Sequence, residues 1–364
     1  MAGWVAYVGF ALETVSGEGG VGGEEAEVDD GSEEKHKVEF LVVVGHFILE
    51  FSRTESKDFP LSFSLKVKKF TKWKASRQQS VGGGRGLTSA GIDIGTQNTV
   101  IAAVMKGGID IILNESSNRT SPTIVGYTKE ERLAGTPASN QIKANFKNTI
   151  QFANRFLGLP WDSAQKAVEK RFIPNKLVPA DEGRKVAFEI KNREENIQVL
   201  PEEVMGCFLK KMRNFLLLKG VQSTDVVVTV PSYYSAAERQ AVMDATQVAG
   251  LNLLKLINES SAITYSYGLF RKDDFTSKPR YVVFLDLGHG KLTVTVAQFT
   301  KEKGKILAES SNRNVGARNF DKKLMDVLSD RFQQKYDLDP RESPKCRLRM
   351  LDVIEKGRKI LSGN

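Results

Sequence analysis

The sequence predicts an α/β fold assembled from two related lobes. Two observations carry this. First, a strand, an aspartate, a glycine turn and a second strand occur together twice, at Ala90 to Val104 and at Tyr281 to Phe299, with Asp93 answering Asp286 and Gly95 answering Gly288. Repetition of a whole supersecondary unit marks duplicated domains. Second, between and after the copies, short apolar runs alternate with segments of helical periodicity, as in layered α/β folds.

The chemistry of the repeated unit is legible in its residue types. In the first copy an apolar run reaches Asp93, Gly95 turns the chain, and Thr96, Gln97 and Asn98 fill the turn. Small residues and free backbone N–H groups at such a turn suit a phosphate. An aspartate beside it can hold magnesium through water. Either stretch alone reads equally well as an ordinary hairpin with a surface aspartate. The pair could clamp one phosphate chain and its metal from two sides, as in two-lobed nucleotide-binding folds of the actin, sugar-kinase and chaperone type.

Composition narrows the class. The 364 residues suffice for about two or three domains. The chain is 40% hydrophobic and 27% charged, as ordinary globular proteins are, with a net charge of +9. Residues 1–88 hold 11 basic and 13 acidic residues, so the positive excess lies wholly after them. There the charges are scattered with no basic-aromatic cluster. This favours a solvated surface attracting anionic ligands over nucleic-acid or membrane binding. Cys207 and Cys346 make neither a disulfide framework nor a metal site. A reducing, cytoplasmic compartment is the simplest reading.

Taken in order, residues 1–88 read as a poorly structured extension: Gly- and Glu-rich from Ser16 to Lys37, apolar from Phe40 to Leu49, and alternating at Leu61, Phe63, Leu65 and Val67. A first lobe spans 89–279. Strands are expected at Ile109 to Leu113 and Pro122 to Gly126, then an inserted subdomain at about 128–200 with a charged hairpin from Val186 to Val199. Pro201 to Leu218 is a helix whose core face is Val204, Met205, Phe208, Leu209 and Met212. Asp225 to Val230 is a buried strand stopped by Pro231, and Ser235 with Glu238 forms a capping box opening a helix to Gly250. Leu253 to Ile257 reads as a short buried strand, with Ser260 capping the next helix and Gly268 ending it. Glu259 then stands at a strand-to-helix junction, facing a cleft or simply favouring the helix N-terminus. A partial second lobe occupies 280–364, with a strand at Lys305 to Glu309, a loop from Val315 to Phe320, and helices from about Asp321 to Tyr336 and Pro344 to Leu361.

With both hairpins and Val230-Pro-Ser-Tyr-Tyr-Ser235 placed, the sequence resembles the heat shock protein 70 family from about Gly91 to Ser362. Gly91-Ile-Asp-Ile-Gly-Thr96 looks like the family's first phosphate motif. Ala249-Gly-Leu-Asn-Leu-Leu-Lys-Leu-Ile-Asn-Glu259, continuing to Tyr267-Gly268, looks like its connecting motif. Gly316 with Asn319-Phe-Asp321 resembles its paired-glycine loop, Ala317 replacing one glycine. Gly108 to Arg119 and Asp286-Leu-Gly-His289 resemble the larger heat shock protein 110 branch, whose members bind ATP and act mainly as nucleotide exchange factors.

The resemblance implies an actin-like ATPase fold of duplicated ribonuclease-H-like lobes, the second incomplete, with ATP and Mg2+ as ligands. It implies that Thr96, Gln97, Asn98, Gly288, His289, Gly290 and Gly316 line the phosphates, with Gly95 shaping the first turn. Asp93, Glu259 and Asp286 would hold magnesium and its waters, and Glu355, Arg358, Lys359 and Ser362 would face the adenosine. Pro231 and Arg239 match a relay between nucleotide and the rest of the protein. The implied partner is a heat shock protein 70 type chaperone, with unfolded polypeptide added for any full-length form. Three departures matter. The family's catalytic lysine falls at Asn154, which cannot supply the charge that stabilises a transferring phosphoryl group. Lys291 replaces the hydroxyl residue of the second phosphate motif, where it can still attract phosphate as a point charge, and Thr293 replaces a carboxylate. The family's adenosine loop, peptide-binding sandwich and helical lid have no counterpart among these residues, so a fragment of the family pattern is expected. Whether the chain is an ATPase is therefore open. An exchange-factor or co-chaperone role is expected, with a hydrolysing chaperone or an inert fragment as alternatives.

Overall fold

The computed structural model describes residues 89–105, 108–192 and 194–361. Among residues 1–88 it describes only the backbone of five strands: Val8–Phe10, Glu13–Thr14, Val38–Val44, Phe47–Ser56 and Phe59–Lys69. The alternation at Leu61 to Val67 falls in the last of these. The remainder of the expected extension, and Ser362, lie outside the described residues.

The first sheet is built on the first hairpin. Strand β1 (Ala90–Ile94) pairs antiparallel with β2 (Asn98–Met105), which carries β3 (Gly108–Ile111) and the short β4 (Ser121–Pro122). The expected strand at Pro122 to Gly126 is split. Thr123 leaves the ladder to donate its N–H to Gln97 O at 2.8 Å and its hydroxyl to Gly95 O at 3.0 Å, and the strand resumes as β5 (Ile124–Tyr127). A small sheet follows, with β5 between β6 (Arg132–Ala134) and β7 (Thr149–Gln151), covered by helix α1 (Thr136–Gln141).

After α2 (Ala164–Lys170) comes a three-stranded antiparallel sheet of β8 (Lys176–Ala180), β9 (Lys185–Asn192) and β10 (Glu195–Val199). The last two are the expected hairpin. The first carries no sequence signal, because Pro179 and its neighbours show no alternation.

Helix α3 (Pro201–Leu218) buries all five residues of its expected core face. They join Ile92, Val228 and Phe188 in one large apolar cluster, and full burial of each such side chain is worth about 1.5–3 kcal/mol. β11 (Asp225–Val230) runs parallel to β1, and α4 (Ala236–Val248) opens with both bonds of the capping box: Glu238 N donates to Ser235 Oγ at 3.3 Å and Ser235 N to Glu238 Oε2 at 2.9 Å.

Three expectations are corrected next. β12 (Asn252–Asn258) is not buried: it is the edge strand beyond β11, and Leu254 is 54% exposed. Ser260 does not cap α5 (Glu259–Phe270); Asn258 stands at the cap position and Ser260 Oγ is buried without a partner. Gly268 does not end α5. It lies inside the helix because a Cβ there would meet the Phe299 ring at 3.1 Å, so its role is close packing.

The second sheet holds β13 (Arg280–Leu287), β14 (Leu292–Phe299) and β15 (Gly304–Asn312), with Val8–Phe10 beside β13. Its core of Phe275, Val282, Phe284, Ala297 and Phe299 packs against Ile263 and Tyr267 of α5. Helix α6 (Ala317–Tyr336) starts four residues before its expected beginning, inside what reads as a loop. α7 (Pro344–Leu361) follows, and its Leu348 packs on Ile124 of the small sheet and on Ala138 and Ile142 in and just after α1.

Candidate functional site

The two glycine turns meet. Gly95 can have no side chain, because a Cβ there would lie 2.2 Å from Asn98 O. Gly288 N donates to Lys291 O at 2.9 Å, closing the second turn. A Cβ on Gly290 would come within 3.1 Å of the Thr96 side chain, so the tips of the two hairpins touch. Thr96 is buried, and Gln97 and Asn98 are half-buried beside it.

The three expected carboxylates stand at the roots of these turns. Asp93 Oδ1 accepts a hydrogen bond from Thr229 Oγ1 at 2.7 Å. Thr229 is the register neighbour of Asp93 across the parallel β1–β11 pair. A lone hydroxyl in the run Val226-Val-Val-Thr-Val230 was the signal that could have singled it out. Asp286 and Glu259 both meet Lys291, whose Nζ is ion-paired with Glu259 and lies 3.4 Å from Asp286 Oδ2. Burial and the neighbouring Asp93 charge push the Asp286 carboxyl up to about 7, and burial pulls the Lys291 ammonium down to about 8.

These residues do not fit a magnesium ion as they stand. Magnesium takes a near-octahedral oxygen shell at about 2.0–2.1 Å. Here an ammonium sits among the carboxylates, and no group of three acidic, His or Cys residues able to hold a metal exists among the described residues. For a phosphate chain the fit is better, since two glycine turns and a buried cation converge.

His289 tilts its ring against Phe152 at 5.2 Å between centroids, and its Nδ1 is enclosed without a partner. Burial, with Arg318, Arg358 and Arg155 nearby, holds its pKa down to about 3, so the ring is neutral. Phe152 has a left-handed backbone (φ 58) and opens a 3-10 turn over Ala153–Arg155. That turn buries Asn154. Its carbonyl accepts from Tyr234 Oη at 2.8 Å, while its side-chain oxygen has no partner.

Gly316 is placed against the second hairpin: a Cβ there would lie 2.4 Å from His289 O. The first two N–H groups of α6, from Ala317 and Arg318, donate to Gly288 O and His289 O, both at 3.0 Å. Of the expected adenosine residues, Glu355 accepts from Gln97 Nε2 at 3.3 Å and from Lys359 Nζ at 2.7 Å, which joins α7 directly to the first turn. Arg358 turns to Asp321 of α6 instead, at 2.8 Å. Arg239 binds the Ser232 and Tyr234 carbonyls and Asn258 Oδ1, linking the loop after Pro231 to the residue before Glu259.

A buried cluster beside the site had no sequence signal. Glu169 accepts from Arg155 of the 3-10 turn and from Arg318 of α6. Burial works against its charge, but the bonds from Arg318 and Arg155 outweigh it and hold the carboxyl below its usual value. Arg155 also reaches Tyr233 Oη at 2.8 Å.

The model of the Hsp70 protein family matches residues 89–364. The chain belongs to the heat shock protein 70 family. It is 35% identical over 278 residues to a heat shock protein homolog of Lachancea kluyveri, covering 75% of this chain and 40% of that protein. It is 33% identical over 280 residues to the like-named protein of Saccharomyces cerevisiae, covering 76% and 40%. It is 36% identical over 283 residues to heat shock 70 kDa protein 4 of Rattus norvegicus, covering 76% and 33%. The chain thus spans about two fifths or less of the length of these relatives. It is a chaperone-family protein with the actin-like ATPase fold, a family whose ATPase domain generally binds ATP with magnesium.

Proposed function

We propose that this chain binds ATP between its two hairpins with slow or absent hydrolysis, and acts as a nucleotide exchange factor or co-chaperone rather than as a hydrolysing chaperone. In this reading residues 89–279 are the first nucleotide-binding lobe, with an insertion at about 128–200, and 280–364 belong to the second. Thr96, Gln97, Asn98, Gly288, Gly290 and Lys291 hold the phosphates, and Glu355, Arg358, Lys359 and Ser362 flank the base. The partner is a heat shock protein 70 type chaperone whose nucleotide is released, and a longer form would also hold unfolded polypeptide.

The observation that carries the reading is Asn154. A neutral amide with an unpaired oxygen is buried where the family keeps its catalytic cation. Without that charge the attacking water and the transferring phosphoryl group lose a preorganised electrostatic partner, which typically costs about 10²–10³ in rate. A cytoplasmic site of action agrees with two free cysteines and with the absence, among the described residues, of a helix long and apolar enough to cross a membrane.

The test is single-turnover hydrolysis of labelled ATP by the chain, alongside release of labelled ADP from a heat shock protein 70 type chaperone. Near-background hydrolysis with accelerated release is expected. Hydrolysis at the pace of a working family ATPase, abolished by Asp93→Ala, would favour the chaperone alternative. A folded sample that neither binds ATP nor speeds release would make the chain inert.

A further inference from the structure

The carboxylates that a divalent ion would need are held by a side chain of the protein. Lys291 is 9% exposed, follows the second glycine turn, and pairs with both Glu259 and Asp286. Its own carbonyl accepts Gly288 N, so the residue bearing the cation is tied to the turn beside the touching hairpin tips. We propose that the Lys291 ammonium takes the place of the metal and that this chain binds the nucleotide polyphosphate without a divalent cation. The proposal rests on the nucleotide-binding reading of the same site.

The physical case is one of exclusion and substitution. A magnesium ion entering this set of carboxylates would have to displace the ammonium, and the displaced cation would remain nearby on its four-carbon stem. Two positive centres in a poorly solvated pocket repel strongly, since the Coulomb term grows as the local dielectric falls. The ammonium already supplies what the ion would supply to phosphate: a compact positive charge with several donors. It is held by Glu259 at the start of α5 and by Asp286 at the end of β13, so the second hairpin and the helix before it position it together.

The experiment measures the Kd of the whole chain for a fluorescent ATP analogue with excess EDTA and with excess magnesium. For the natural chain the two values are expected to agree within about threefold, while Lys291→Thr, which reopens the carboxylates, should lose about tenfold or more on chelation. Lys291→Arg keeps the charge and should remain insensitive to chelation, which guards against a Thr variant that fails to fold. Manganese alone, followed by electron paramagnetic resonance without nucleotide, should find no tight site in the natural chain. If chelation weakens the natural chain by about tenfold or more, or if manganese binds it tightly, the metal-free inference is overturned while nucleotide binding stands. No binding in either buffer, in a sample that melts cooperatively, overturns both.

Discussion

Arg318 and Glu169, 149 positions apart in the chain, meet as a buried ion pair with two hydrogen bonds, of 2.5 and 3.0 Å. Glu169 is 1% exposed and is shared with Arg155, so two guanidinium groups converge on one carboxylate between α2, the 3-10 turn and α6. Glu169→Ala would strand both cations. Removing one partner of a buried charge cluster costs about 3–5 kcal/mol, and that loss is expected in urea unfolding followed by circular dichroism. Replacing the whole cluster by apolar residues should cost far less.

Asn154→Lys should raise single-turnover ATP hydrolysis, by up to about 10²–10³, the size of one preorganised electrostatic contact. The gain is expected in the rate of the chemical step, with ATP affinity little changed. The check is rapid-quench kinetics on both proteins at saturating nucleotide.

His289 sets a pH dependence of stability. Its folded pKa of about 3 lies below the ordinary value of 6.5, so the unfolded chain binds the proton more readily between these values. The contribution of the neutral ring is therefore present above pH 6.5 and is lost as the pH falls toward 3. From about pH 6.5 to about pH 5 the loss attributable to this residue should be about 1–2 kcal/mol. The difference between the natural chain and His289→Gln in denaturant midpoint, followed across that range, isolates it from other titrating groups. Equal pH slopes for the two would show that the ring is reachable by protons in the folded state.

Gly316→Ala and Gly91→Ala should part company. A methyl at Gly316 would meet the backbone carbonyl of His289 and could not be relieved by a side-chain rotation, whereas one at Gly91 meets nothing within 4 Å. The first is expected to cost about 1–3 kcal/mol and the second less than about 0.5 kcal/mol. Thermal melts of the two variants side by side are the measurement.

Much of the fold could be read before the structure because its signals are local. The capping box at Ser235 and Glu238 needs only three residues of spacing, and the buried face of α3 only helical periodicity. The twin hairpins are visible because both aspartates and both glycines sit inside short, self-contained strands and turns. What was misread depends on distance. Gly268 looks like a helix terminator until Phe299 is known to face it. Leu253 to Ile257 looks like core until β12 is seen at the sheet edge. The start of α6 carries no local signal because Val315 to Phe320 reads as a glycine loop, and its first turn is held by carbonyls of the second hairpin. In the site, the carboxylates were legible as a set. Nothing in the spacing of Glu259 and Asp286 says that Lys291 lies between them, and a charged residue within α2 carries no mark that it will be buried.

The hydrogen bonds from Ala317 and Arg318 to Gly288 and His289 give α6 the character of a lever. Twenty residues at about 1.5 Å each make a rod about 30 Å long, hinged at the tip of the second hairpin. A tilt of about 2° at that hinge carries Tyr336 through about 1 Å, by the same helix dimensions. Whatever settles on the hairpin is thereby geared to a displacement far from it.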